Sequence, residues 1–159
     1  MSVLLEKLAA GIGDDLPEMT RREIRVPRIP NKALAVVGMR RSGKSTFLWQ
    51  CLADRVSAGA PRTAQIYVNF EDDRLGRIGA ADLDGLLEAY FQQFPHFRGT
   101  QRVGCFLDEI QNVQGWEQFV RRIMDSEKVD VFLSGSSAKL LSREVATSLR
   151  GRAVELSIQ

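Results

Sequence analysis

An α/β fold built on a mainly parallel sheet is what this sequence predicts, on three observations. Short apolar runs alternate with segments of helical periodicity along most of the chain. Two of those runs, Val103-Gly104-Cys105-Phe106-Leu107 and Val129 to Leu133, are nearly all apolar, as expected of strands buried on both faces. The third observation is Gly38-Met39-Arg40-Arg41-Ser42-Gly43-Lys44-Ser45, which satisfies the phosphate-loop pattern G-x-x-x-x-G-K-[ST] between an apolar run and a helical pattern.

Each element has its own reason. Leu4, Leu5 and Leu8 have helical spacing, and Gly11 and Gly13 are read as the end of that helix. From Asp14 to Asn31 the chain carries Pro17, Pro27 and Pro30 among Arg21, Arg22, Arg25 and Arg28, and reads as an extended lead-in. Residues 1–31 are therefore taken as a helix plus lead-in, and 32–159 as the core. Leu34 to Gly38 is the first core strand. From Lys44, the residues Phe47, Leu48, Cys51, Leu52 and Val56 recur at intervals of three and four until Gly59-Ala60-Pro61 stops the helix. Gln65 to Phe70 is a second strand, with Glu71-Asp72-Asp73-Arg74 as a polar loop after it. Leu83, Leu86, Leu87, Tyr90, Phe91 and Phe94 form another stripe, ended by Pro95. Val103 to Leu107 is the next strand. Trp116, Phe119, Val120, Ile123 and Met124 form a third stripe, and Val129 to Leu133 and Ala153 to Ile158 are the last strands.

Bulk properties bound the function. At 159 residues and 44% hydrophobic content the chain makes one globular domain. Its 22 basic and 20 acidic residues leave a formal charge of +2, so nucleic acid is an open option that the charge does not indicate. No apolar run approaches the ~20 residues of a membrane span, and the start has no secretory signal pattern. Cys51 and Cys105 lie in apolar segments without metal-ligand spacing, and are read as buried free thiols. His96 has no partner cluster. A soluble, cytoplasmic protein is expected.

The phosphate loop implies its own chemistry. Glycines allow a concave nest of backbone N–H groups, and the following helix aims its positive end at the same point. Gly38, Arg40, Arg41, Ser42, Gly43, Lys44, Ser45 and Thr46 are the nucleotide-binding candidates. Lys44 would reach the β- and γ-phosphates, and the Ser45 hydroxyl would ligate Mg²⁺. Arg40 and Arg41 touch phosphate or make salt links to Glu71, Asp72 or Asp73, with the salt link preferred.

In parallel sheets ligands sit beyond the carboxyl ends of the strands. Asn69, Asp108, Glu109, Ser134 and Ser136 end strands there and belong together. Asp108 is the Mg²⁺ candidate, because that ion takes few protein carboxylates and keeps its waters. Glu109 is the candidate base for the attacking water. Such a base favours hydrolysis over transfer to an acceptor molecule. Ser134 or Ser136 either senses the γ-phosphate or belongs to a Gly/Ser loop. Asn69 either holds Glu109 off the water or is a strand-end turn residue. Arg150 and Arg152 either stabilise transition-state charge, in cis or lent to a neighbour, or are solvated arginines.

These residues resemble a known family. GMRRSGKST, YVNFEDDRL, FLDEIQNVQGWEQFVRRIMD, FLSGSSAKLLSREVATSLRGR and AVELSI look like the prokaryotic AAA-type ATPases with a Gly-x-Arg-Arg-x-Gly-Lys phosphate loop. The similarity runs from about Arg22 to the end. It implies a three-layer α/β/α P-loop NTPase of the ASCE branch, with five strands in the order 5-1-4-3-2. It also implies ATP and Mg²⁺ as cofactors, Lys44 and Ser45 on phosphate and metal, and Asp108 and Glu109 as the Walker B pair. Adenine over guanine rests on this resemblance, together with the lack of an Asn/Thr-Lys-x-Asp motif. Relatives usually continue into a large C-terminal region. The chain is therefore expected to be an N-terminal ATPase domain whose partner is that region or another protein. The alternatives to an ATP-hydrolysing motor or switch are a nucleotide-gated interaction module without turnover and a small-molecule phosphotransferase.

Overall fold

The computed structural model describes residues 2–17, 31–39, 42–136, 147 and 149–158. The lead-in from 18 to 30, and with it the start of the resemblance, lies outside them, as do Arg40 and Arg41.

The elements run in the order α1 (Ser2–Gly13), β1 (Ala33–Gly38), α2 (Lys44–Ser57), β2 (Gln65–Asn69), β3 (Ile78–Gly79), α3 (Ala80–Gln93), β4 (Val103–Asp108), β5 (Val113–Gln114), α4 (Trp116–Ser126), β6 (Val129–Gly135) and β7 (Ala153–Ile158). The main sheet is ordered β7-β1-β6-β4-β2, and every pairing in it is parallel. Numbered among themselves in chain order, these five strands lie 5-1-4-3-2, as the resemblance implies.

Strand side chains alternate between faces, so two cores form. On one face Ala35, Val37, Ile66, Val68, Cys105 and Leu133 pack against α1, α3 and α4. On the other Leu34, Val36 and Phe106 meet Phe47, Leu48, Cys51 and Leu52 of α2. Phe47 and Leu48 are fully buried, each contributing about 2–3 kcal/mol by removal from water. Phe106 and Phe132 stack on this face, with ring centroids 4.4 Å apart. Cys51 and Cys105 are both buried and free, and burial pushes the Cys105 thiol up to about 12.

Gly11 does not stop α1, which runs on to Gly13. A side chain at Gly11 would bring its Cβ within 2.0 Å of the Tyr67 carbonyl oxygen. The glycine is there so that the helix can lie against the edge strand β2. Arg62 ties the end of that helix down, donating to the carbonyls of Gly11 and Asp14 at 3.0 and 3.2 Å. A covered edge offers no template for pairing with another chain.

One element has no counterpart in the sequence reading. β3 and β5 pair in parallel as a separate two-stranded sheet. It joins the segment after β2 to the segment after β4. Strands of two residues carry no measurable alternation, so periodicity does not reveal them.

Candidate nucleotide site

The turn between β1 and α2 is built around two glycines. A Cβ at Gly38 would lie 2.5 Å from the Ile158 carbonyl oxygen and 2.8 Å from Ser42 Oγ, so only glycine fits. Gly43 has φ 90°, a left-handed conformation that glycine adopts without strain. Gly43 also caps α2 without a side-chain acceptor. The first N–H groups of the helix are therefore not consumed by a capping side chain.

Lys44 opens the helix and is only 4% exposed. Its ammonium donates to the carbonyls of Gly38 (3.3 Å) and Met39 (3.0 Å), and stands 3.8 Å from Glu109 Oε1. Ser45 is half-buried and Thr46 exposed on the same turn.

The acidic pair comes from β4 and faces this turn. Asp108 is fully buried. Ser134 donates to its Oδ1 and the Tyr67 phenol to its Oδ2. Burial pushes the Tyr67 phenol far above its ordinary range, and the neighbouring Asp108 charge adds to this. The Ser45 and Trp49 side chains adjoin this phenol.

Glu109 adopts φ 56° and ψ 47°, left-handed values that cost a non-glycine residue about 1–2 kcal/mol. The turn carries the chain off β4 and swings the carboxylate toward the end of β6. There Glu109 Oε2 accepts from the Ser136 N–H (3.0 Å) and from Gln111 Nε2 (2.7 Å). The Glu109 N–H donates to Ser134 Oγ at 2.9 Å. Gln111 Nε2 also donates to Ser136 Oγ at 3.0 Å. The amide must point its NH₂ at the carboxylate, because a flipped amide would set two acceptors together. Gln111 Oε1 is buried and has no partner among the described residues, so the amide keeps an acceptor for water.

A profile described as AAA domain matches residues 30–159. The chain belongs to the AAA domain family. It is 40% identical to an uncharacterized protein of Methanocaldococcus jannaschii over 141 residues, which is 89% of this chain and 29% of that protein. It is 35% identical to an uncharacterized protein of Haemophilus influenzae over 124 residues, 77% of this chain and 30% of that protein. The chain thus spans less than a third of the length of either relative. AAA domains are nucleotide-binding, ATPase-like modules, and the five-stranded sheet agrees with that class.

This AAA domain brings together Gly38, Ser42, Gly43, Lys44, Ser45, Asp108, Glu109, Ser134 and Ser136 at the carboxyl edge of the sheet. It corrects three of the expected roles. Asn69 does not hold Glu109: its Oδ1 accepts from the Glu71 N–H at 2.8 Å, a strand-end turn. The left-handed turn at Glu109 carries the carboxylate toward β6, and Gln111 does the holding instead. Ser134 does not face outward as a phosphate sensor. Its hydroxyl is fully buried between the Asp108 carboxylate and the Glu109 N–H. Arg150 and Arg152 are not at the site in cis. They precede β7, whose first residue pairs with Ala33, whereas Gly38 pairs with Ile158. That strand length puts them about 17 Å from the loop. Arg152 pairs there with Asp125 of α4.

Sequence reasoning missed two members, Tyr67 and Gln111. Tyr67 had one available signal, a polar aromatic in an otherwise apolar strand, which needs a partner for its hydroxyl. Gln111 had only its closeness to the acid pair. Among the described residues no cluster of three or more His, Cys, Asp or Glu could hold a metal, and no helix is long and apolar enough to cross a membrane.

Proposed function

We propose that this AAA domain binds Mg-ATP and hydrolyses it to ADP and phosphate, and that turnover drives or switches an unidentified partner. That partner is another protein or the remaining part of a longer polypeptide such as the relatives have. The observation that carries the reading is the burial of Lys44, Asp108 and Glu109 together against a turn that admits no side chain at Gly38. Buried charges are costly unless they do work or are paired. Here one cation and two acids meet where an α/β sheet takes its ligands.

The residues present fit both ligands. The loop amides and Lys44 suit a polyphosphate, and Ser45 with Asp108 suits Mg²⁺, which needs one or two protein ligands beside phosphate oxygens and water. The ion, when bound, would supply neutralisation of the phosphate charge. Lys44 leaves the Gly38 and Met39 carbonyls to meet the phosphates. Glu109, held through Oε2 by Gln111 and Ser136, presents Oε1 to a water and takes its proton. The water oxygen bonds to the γ-phosphorus as the bond to the ADP oxygen breaks.

Phosphate release from ATP in Mg²⁺ buffer, without any acceptor, tests this. Glu109→Gln should keep ATP affinity and lower kcat by about 10²–10⁴, the usual contribution of a general base. Equal release by both proteins would remove Glu109 from the mechanism. Binding without release in the unaltered chain would favour a nucleotide-gated module. ADP formation that requires an added hydroxyl compound, with no free phosphate, would favour phosphoryl transfer.

A further inference from the structure

The Tyr67 hydroxyl lies where three elements meet. It grows from β2, whose residue Asn69 pairs in register with Asp108 of β4. It donates to Asp108 Oδ2, and the Ser45 side chain in the first turn of α2 adjoins the same phenol. Trp49, one helical turn beyond Ser45, packs tilted against the Tyr67 ring, with 4.2 Å between centroids. The backbone of Tyr67 is in turn pressed by α1 at Gly11. The phenol therefore cannot shift without disturbing packing on two sides.

We propose that Tyr67 is a positioning residue of the Mg²⁺ site, its hydroxyl setting the distance and orientation between the Ser45 hydroxyl and the Asp108 carboxylate before the ion arrives. This rests on the nucleotide reading above. The physical need is specific. Mg²⁺ demands near-octahedral geometry and gives up its waters reluctantly, so flexible ligands bind it poorly. Asp108 has one hydroxyl on each oxygen, Ser134 on Oδ1 and Tyr67 on Oδ2, which fixes the rotation of the carboxylate. A carboxylate has about four lone-pair sites, so acceptor capacity remains for metal-bound water. Ser45 alone would be free to rotate its hydroxyl, and the phenol gives that hydroxyl a preferred direction.

Removing such an outer partner typically costs 10–100-fold in metal affinity. The test uses the chain as it is, its Tyr67→Phe variant and a Trp49→Phe variant. ATP binding is titrated by calorimetry in EDTA, then at rising Mg²⁺. Tyr67→Phe keeps the ring on Trp49 and loses only the hydroxyl. It should bind metal-free ATP within about twofold of the parent, and need at least about tenfold more Mg²⁺ to reach the Mg²⁺-enhanced affinity. Trp49→Phe keeps the bond from Tyr67 to Asp108 and should follow the parent Mg²⁺ curve. Superimposed Mg²⁺ curves for parent and Tyr67→Phe would overturn the proposal. So would tighter Mg²⁺ binding by Tyr67→Phe, which would make the hydroxyl a competitor of the ion. An equal defect in Trp49→Phe would reduce Tyr67 to a packing role. Failure of the parent to bind ATP at all would instead sink the nucleotide reading, and this inference with it.

Discussion

Charged side chains gather at both ends of the parallel sheet, but the two ends handle them differently. At the carboxyl edge Lys44, Asp108 and Glu109 are nearly dry, and each is held by named donors or acceptors. At the amino edge Arg55 and Arg102 share Asp130, each at 2.8 Å, and Arg152 meets Asp125, all with water on at least one side. Nearby, Arg98 bridges Glu88 and Glu127 at 2.9 and 2.6 Å. Exposed pairs of this kind contribute about 0–1 kcal/mol each. A buried charge, by contrast, costs several kcal/mol unless its partners are well placed. Surface pairs therefore say little about what a protein does. The dry end marks the place where the fold has accepted a cost.

The sharpest way to break this contrast is Lys44→Ala. An ammonium on phosphate is a charge-assisted bond, and its loss costs about 3 kcal/mol, or about 100-fold in affinity. Calorimetry should show ATP binding lost at sub-millimolar concentrations, with turnover lost alongside. A cooperative urea transition should persist, because Glu109 keeps the Ser136 N–H and Gln111 as donors. ATP affinity unchanged in this variant would mean that the dry cluster is only structural.

Gln111→Ala probes the same edge more finely. It deletes one of the two donors on Glu109 Oε2, leaves the phosphate loop untouched, and removes the spare acceptor at Oε1. Small misplacements of a reacting group lower rates steeply. We expect kcat to fall about tenfold with KM unchanged. A rise in kcat would instead identify Gln111 as a restraint that keeps Glu109 from water.

Which parts of this were legible in the sequence follows from distance along the chain. The loop from Gly38 to Ser45 is contiguous, so its residues announce themselves together. The core strands were legible because each is a short apolar run bounded by polar or turn residues. The acid pair was legible because it directly follows an apolar run. The bond between Tyr67 and Asp108 spans 41 positions, and no local pattern encodes it. The left-handed turn at Glu109 was hidden for another reason. Glutamate has no preference for that conformation, so the turn is imposed by tertiary contacts from Ser134 and Ser136. That unseen turn is also why Asn69 looked like the natural partner. Arg150 and Arg152 were left open between a charge-stabilising and a solvated role, and their place before β7 puts them at the amino edge of the sheet.

Arg152→Ala is the smallest expected effect and the one that tests the contrast from its other side. Arg152 pairs with Asp125 at the amino edge, about five residues of strand away from the phosphate loop. Its carbonyl accepts from the Ala33 N–H at 2.7 Å, and that bond uses the backbone, which the substitution keeps. Loss of the side chain should therefore lower stability by less than about 1 kcal/mol. The deficit should shrink further in 1 M salt, where the Debye length is about 3 Å. ATP affinity and kcat of the isolated chain should match the parent. A large loss of turnover in dilute solution, absent at the same concentration in the parent, would contradict this placement. A loss that appears only where copies of the chain associate would show instead that the arginine serves a neighbouring molecule's site, and the amino edge would then no longer be merely solvated.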